Sequence, residues 1–187
     1  INLTEGTFSP STTGENFPII MISNVNLIGQ GEEVTIIDAE GSEENPRRVI
    51  TMEYCENNII SDLTIKGGSI EEESGWGNCG GGMFLILSDP ILTNLVFNGN
   101  VAGRGGGIYI HESSPIITNN SIYNNSASYW GGGMYFLGSN PEVINVIIRN
   151  NTANKGGGIY YEGCYNSNDF WSCYAAHTAS QFKELDI

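Results

Sequence analysis

The sequence predicts an all-β solenoid, a parallel β-helix of about five to six coils closed by an irregular or short helical C-terminal cap. Three observations carry that expectation. The pattern Gly-Gly-Gly, apolar, aromatic recurs at Gly80-Gly81-Gly82-Met83-Phe84, Gly105-Gly106-Gly107-Ile108-Tyr109, Gly131-Gly132-Gly133-Met134-Tyr135 and Gly156-Gly157-Gly158-Ile159-Tyr160. Its copies are spaced 25, 26 and 25 residues apart. Between them the apolar positions alternate with period two in short bursts, as at Ile108 and Ile110 or Val25 and Leu27, and not with the period of a helix. A fixed period of this size marks a unit that cannot bury its apolar side alone and must stack on its neighbours. Three short strands and three turns account for a coil of this length.

Aligned on the glycine triplet, further columns appear: Pro90, Pro115 and Pro141, then Leu92, Ile117 and Val143, then Asn94, Asn119 and Asn145. Phe97, Ile122 and Ile148 follow, then Asn100, Asn125 and Asn151, and finally Ala102, Ala127 and Ala153. Upstream, Ile60 to Ile65 and Ile22 to Leu27 bring Asp62 and Asn24 into the first asparagine column, with longer coils of 32 and 38 residues. The extra length is expected in polar loops near 39–48 and 69–78. Asparagine tolerates the left-handed backbone of a sharp corner, and its amide can bond an amide one coil away. Asn24, Asp62, Asn94, Asn119 and Asn145 are therefore expected to stack in the interior, with Asn100, Asn125 and Asn151 as a second ladder. The glycine triplet serves the next corner without a side chain.

The repeat covers residues 1–162. Residues 163–187 lack the triplet and the asparagine columns and are expected to cap the last coil, whose core and strand edges would otherwise face water. A short amphipathic helix through Tyr174, Ala175, Thr178, Phe182 and Leu185 fits that segment. No comparable cap precedes Ile1, and the chain opens in mid-element at Ile1-Asn2-Leu3, without a leader, as a processed or truncated product would. Cover by upstream residues, or self-association through the N-terminal coil, is the corresponding expectation.

Charged residues are 15% of the chain, against about 25% in ordinary globular domains. Asn, Ser, Thr and Gly supply the polar surface, which suits a secreted or cell-surface protein. A net charge of −14 with seven Lys plus Arg disfavours nucleic acid and anionic membranes, both of which need a basic face. No run approaches the roughly 18 apolar residues of a membrane span. The four cysteines show no C-x-x-C spacing, which argues against zinc. Cys164 and Cys173 could close the tail as a disulfide, and Cys55 and Cys79 read as small buried hydrophobes.

Phe97-Asn98-Gly99-Asn100 followed by Gly105-Gly106-Gly107-Ile108 resembles the F-x-x-N and G-G-A-[ILVY] motifs of chlamydial polymorphic membrane proteins and of the broader right-handed β-helix surface proteins of environmental bacteria. Ile122 and Ile148 depart from the Phe of that pattern, and Gly107, Gly133 and Gly158 from its Ala. The opening residues Ile1 to Phe8 and Val25 to Gly31 look like the first coils of this wider class, pectate-lyase-like proteins included. The resemblance implies a right-handed helix that serves as an adhesin, a surface-layer part, or a polysaccharide lyase or epimerase. A lyase or epimerase acting on an acidic polysaccharide would need a Lys or Arg base and a cation to neutralise the uronate carboxylate. The bases are Arg47, Arg48, Lys66, Arg104, Arg149, Lys155 and Lys183, with His111 and His177, and the polygalacturonase signatures (N-T-D, D-D, G-H-G, R-I-K) are missing. No cofactor is implied beyond a weak surface Ca²⁺ at Asp38, Glu40, Glu43, Glu44 and Glu71-Glu72-Glu73, which equally read as solvated loops.

Two surface columns remain. Phe84, Tyr109, Tyr135 and Tyr160 alternate with inward Met83, Ile108, Met134 and Ile159, so an outward ring ladder is expected. Such a ladder binds flat sugar faces of a polysaccharide or cell-surface glycan, or simply stacks on itself. Cys79, Arg104, Trp130 and Lys155 stand before the four triplets and place an indole between two cations, either as a rigidifying contact or as a seat for an acidic glycan. The leading functional expectation is a structural or adhesive surface module.

Overall fold

The computed structural model describes residues 1–70, 75–163 and 182–186. They wind into a parallel β-helix whose coils lie on three sheets of nine, four and six strands. In coil 4 these are Ile91–Asn98 on sheet 1, Val101–Arg104 on sheet 2 and Ile108–His111 on sheet 3. Coil 5 adds Ile116–Thr118 with Ser121–Tyr123, Ser126–Trp130 and Met134–Leu137, and coil 6 adds Glu142–Arg149, Thr152–Lys155 and Ile159–Glu162. Equivalent residues pair coil on coil: Ile60 with Leu92, Leu92 with Ile117, and Ile117 with Val143. Inward residues of sheets 1 and 3 form one continuous core, in which Leu92, Phe97, Ile108, Ile117, Ile122, Met134 and Val143 are fully buried.

Each regular coil turns through four left-handed bends, with φ between 46° and 72°. One column is Asp62, Asn94, Asn119 and Asn145; a second is Gly67, Gly99, Asn124 and Asn150; a third is the first glycine of every triplet; a fourth is Tyr54, Leu87, Glu112 and Gly138. Asn, Gly and Asp accept this conformation readily, whereas Leu87 or Glu112 there costs roughly 1–2 kcal/mol. Stacked neighbours oblige these residues to bend with the rest.

The first asparagine column lies outside, not inside. Asn94, Asn119 and Asn145 are exposed, because the bend in mid-strand turns their side chains away from the core between inward Leu92 and Leu95 and their equivalents. They still bond in pairs, Asn94 Nδ2 donating to Asp62 Oδ1 at 2.9 Å and Asn145 Nδ2 to Asn119 Oδ1 at 2.7 Å. Asn24 is not in that column. Leu27 pairs with Ile60 and Ile28 with Ser61, so Gly29 lies beside Asp62. Asn24 instead accepts from Asn57 Nδ2, 33 residues away, at 3.0 Å. The register slips because residues 30–34 loop out between Leu27–Ile28 and Thr35–Asp38, within the sheet-1 side of the coil.

The interior ladder is Asn100, Asn125 and Asn151. Each Oδ1 accepts the backbone N–H of the coil before it: Gly68 on Asn100 (3.0 Å), Asn100 on Asn125 (3.0 Å) and Asn125 on Asn151 (2.9 Å). Each Nδ2 donates to a carbonyl of the preceding coil, Ile65, Phe97 and Ile122 in turn, and Asn100 and Asn125 also donate to the next Oδ1 at 3.0 Å. A second buried polar column joins Ser88, Ser113 and Ser139, where the Ser88 and Ser113 amides donate to the next hydroxyl at 3.0 and 3.2 Å. Ser-x-Pro before each coil is its sequence sign.

The three glycines of a triplet have different reasons to be glycine. The first is left-handed, with φ of 61–67°. A Cβ on the second would overlap carbonyls of the next coil, such as Gly132 O at 2.6 Å from Gly106. A Cβ on Gly82, Gly107 or Gly133 would lie 2.5–2.6 Å from the next triplet's third carbonyl and against the ladder amides of Asn100, Asn125 and Asn151. The alanine of the resembling motif has no room here.

Beyond coil 6, Phe182–Asp186 is a strand parallel to Glu142–Arg149, with Val143 beside Phe182 and Val146 beside Leu185. The helix expected to reach Leu185 is replaced there by the ninth strand of sheet 1, which starts a seventh layer, because the unpaired backbone edge of coil 6 offers a row of hydrogen bonds that a helix cannot take. Residues 174–181 of that expected helix, the Cys164/Cys173 pair and Glu71 to Glu73 lie outside the described residues. Cys55 and Cys79 are buried. No helix among the described residues is long and apolar enough to cross a membrane.

The two asparagine columns predict different sensitivities. Asn125→Ala is expected to cost about 2–4 kcal/mol, since two amide donors of Asn100 and two acceptors, Phe97 O and Asn151 Oδ1, each lose a partner. Asn119→Gly is expected to be nearly neutral, because glycine keeps the bend. Urea denaturation midpoints of the two variants check this, and equal losses would contradict the assignment of inside and outside.

Candidate functional site

The residues singled out from the sequence converge on the outer face of sheet 3 and its corner with sheet 2. Phe84, Tyr109, Tyr135 and Tyr160 are exact register neighbours on consecutive coils. Their rings stack at 5.4, 5.0 and 5.5 Å with interplanar angles of 15°, 5° and 12°. The rings lie on the outer face, as alternation requires, but they are not presented to solvent: Phe84, Tyr109 and Tyr135 are 3%, 1% and 2% exposed. Cys79, Ile86, Leu137 and Trp130 cover them and make a second apolar cluster outside the sheet. Tyr160, at the coil-6 end, is half-buried.

The column before the triplets is also in register, Cys79 beside Arg104, Arg104 beside Trp130 and Trp130 beside Lys155. The Arg104 guanidinium lies 4.8 Å from the Trp130 ring centroid and 5.8 Å from that of Tyr129, and Nη1 donates to Asn78 Oδ1 at 3.3 Å. On the coil-6 side, Tyr160 stacks on the indole at 5.8 Å and 18°. Trp130 is therefore held between one cation and a phenol ring, not between two cations. Lys155 is exposed, and its ammonium makes no cation–π contact among the described residues. A third cation, Arg48, completes the wall: its guanidinium stands 4.3 Å over Phe84 and donates to the carbonyls of Cys79 (2.6 and 3.0 Å), Gly80 (3.0 Å) and Gly77 (3.2 Å).

Coil 5 carries one residue more than its neighbours at this corner. Ser126 and Ala127 pair with Val101 and Ala102, yet Trp130 pairs with Arg104, and the same shift recurs against Thr152, Ala153 and Lys155. This bulge is the source of the single 26-residue spacing. It keeps Trp130 in its column and turns Tyr129 outward, 47% exposed and tilted 54° to the indole.

Burial sets the local acid–base behaviour. It raises the phenols of Tyr109 and Tyr135 far above their ordinary range, helped at Tyr109 by neighbouring Cys79 and at Tyr135 by its hydrogen bond to Glu162. Burial also raises the Cys79 thiol, partly offset by Arg104. It lowers the His111 imidazole, which Glu112 counteracts from 3.9 Å. In the acidic loops, Asp38 pairs with Lys66 at 3.1 Å, and the Glu40 carboxylate accepts from the Ser11 and Ser9 hydroxyls, which hold it below the usual carboxylate range. Among the described residues no three His, Cys, Asp or Glu side chains gather as a metal site.

A family model describing a right handed beta helix region matches residues 23–174. The chain belongs to the right-handed β-helix family. No curated protein and no solved structure matches it. Within this right-handed β-helix, the sequence pattern marked the ladder and the cation column, named Arg48 only among the chain's bases, and missed Asn78, Tyr129 and Glu162. Only Tyr129 had a visible sign, the extra residue in Ser126 to Trp130.

Alkali tests the closed stack. Tyr109 and Tyr135 titrate higher in the folded protein than the ordinary phenol value of about 10, so between those limits the folded state holds more protons than the unfolded one. Stability is thus fully present below that value and falls as pH rises above it. The urea midpoint is expected to drop steeply above about pH 10, and more gently in a Tyr109→Phe/Tyr135→Phe variant. A flat profile in the parent protein would contradict the burial.

Proposed function

We propose that this right-handed β-helix is a structural and adhesive module of an extracellular or cell-surface protein. One observation carries the reading: apart from the exposed Lys155, the cations of the outer wall named below are built into the wall itself. Arg48 ties down the Cys79 and Gly80 carbonyls, Arg104 lies on Trp130 and Asn78, and Arg47 donates to Ala39 O at 2.9 Å. Lys66 pairs with Asp38, and Arg149 covers Tyr123 at 4.9 Å. A proton-abstracting Lys or Arg in a lyase or epimerase has to aim at substrate with its basic form accessible. The low content of charged residues and the Asn, Ser and Thr of the surface fit a solvent-facing, extracellular chain.

The polysaccharide lyase or epimerase is the competing reading. Incubation with polygalacturonate and alginate, followed by the absorbance of unsaturated products, is expected to show no turnover. The same protein is expected to be retained on immobilised cell-wall polysaccharide. Turnover that disappears in Arg104→Ala or Lys155→Ala would replace the module by an enzyme.

A further inference from the structure

We infer that the corner of sheets 2 and 3 in coils 4 to 6 binds an anionic glycan, with a sugar ring on Tyr129 and its carboxylate or sulfate groups between Arg104 and Lys155. The inference deepens the adhesive reading and rests on it. Three observations meet at this corner. The first is the bulge in coil 5, which adds one residue to Ser126–Trp130 relative to both neighbouring strands without disturbing the column of Arg104, Trp130 and Lys155. Bulges re-aim side chains, and the side chain re-aimed here is an aromatic ring.

The second is that Tyr129 stands apart from the ring stack. Phe84, Tyr109 and Tyr135 have their faces occupied by one another, and Trp130 lies between Arg104 and Tyr160. Tyr129 is 47% exposed and touches the stack only at a tilt, so a ring face remains for a flat ligand. The third is charge. The chain has 21 Asp plus Glu and seven Lys plus Arg, yet the sheet-2 strands Val101–Arg104, Ser126–Trp130 and Thr152–Lys155 carry two cations and no acid. Among the described residues neither Arg104 nor Lys155 lies within salt-bridge distance of a carboxylate.

Arg104 and Lys155 are two rungs apart, about 9–10 Å along the axis, which is the reach of neighbouring sugar units along a chain and not of a single small anion. Arg104 also stays within 5.8 Å of the Tyr129 ring, so ring contact and charge contact serve one sugar residue together. An acidic polysaccharide laid along the helix axis meets all three groups. On a chain of net charge −14, only a local cationic stripe of this kind attracts such a polymer, and the attraction acts at short range because salt screens the rest.

Titration of the whole protein with oligogalacturonate, with a sulfated glycosaminoglycan oligomer and with neutral cello-oligosaccharide, each at low and high salt, tests the inference. Binding of at least one anionic oligomer is expected, weakening about tenfold at high salt, with the two anionic arms separating carboxylate from sulfate. Tyr129→Ser and Lys155→Gln are each expected to weaken it about fivefold or more without lowering the thermal midpoint. Preferential binding of the neutral oligomer would overturn this inference and leave the adhesive module standing. Anionic binding unchanged in the double variant would place the ligand elsewhere. Absence of binding in every arm would overturn the inference, while retention on immobilised cell-wall material decides the adhesive reading separately.

Discussion

The closeness of successive backbones at the glycine corner is the constraint on which everything else depends. At about 4.8 Å per coil, the second and third residues of the first three triplets face the carbonyls of the next triplet with no space for a methyl group. That approach leaves the buried amides of Asn100 and Asn125 to seal the neighbouring corner, where each accepts a main-chain N–H from one coil and donates to the next, and half-buried Asn151 ends the ladder. Neither device works without the other, since a Cβ on Gly107 would meet the Asn125 side chain at 3.3 Å. Because both are renewed once per coil, the cross-section repeats from coil 4 to coil 6 apart from the coil-5 bulge, and side chains at equal positions stack whether or not they would choose to.

That forced stacking explains why the outer wall closes on itself. Aromatic residues two places after the triplets are carried into van der Waals contact, and once stacked they exclude water from one another and from the Cys79 thiol. Guanidinium groups of Arg48 and Arg104 finish the wall as flat lids over rings, a role that suits their planar, weakly hydrated charge better than an ammonium would. The ladder thereby stabilises the solenoid, and at this corner the exposed ring, Tyr129, lies where the repeat is broken by the coil-5 bulge.

Much of this was legible in the chain because a solenoid writes its contacts at a fixed offset. Columns such as Leu92, Ile117 and Val143 or Phe97, Ile122 and Ile148 fell into the core where the spacing placed them. What the spacing could not tell was direction at a bend: Asn94 and Asn100 both recur once per coil, but only the local twist decides that one amide faces solvent and the other the core. The Asn24 register was illegible for a related reason, since residues 30–34 are inserted inside a coil face with no glycine triplet nearby to count from. Strand alternation correctly put the tyrosines outside but carried no information on what covers them, because Arg48 reaches Phe84 from the adjacent coil across 36 residues of sequence. The tail strand Phe182–Asp186 was hidden by a pattern compatible with a helix, and an available sheet edge overrode it.

Hydrogen exchange at the ladder amides tests the central claim most directly. If the glycine and asparagine corners hold the coils together as one unit, the backbone N–H groups of Asn100, Asn125, Gly107 and Gly133 will exchange only through global unfolding, with protection equal to the stability measured by denaturant. Exchange of Asn100 and Asn125 through local opening, at a rate near that of an exposed bend such as Gly99, would contradict it.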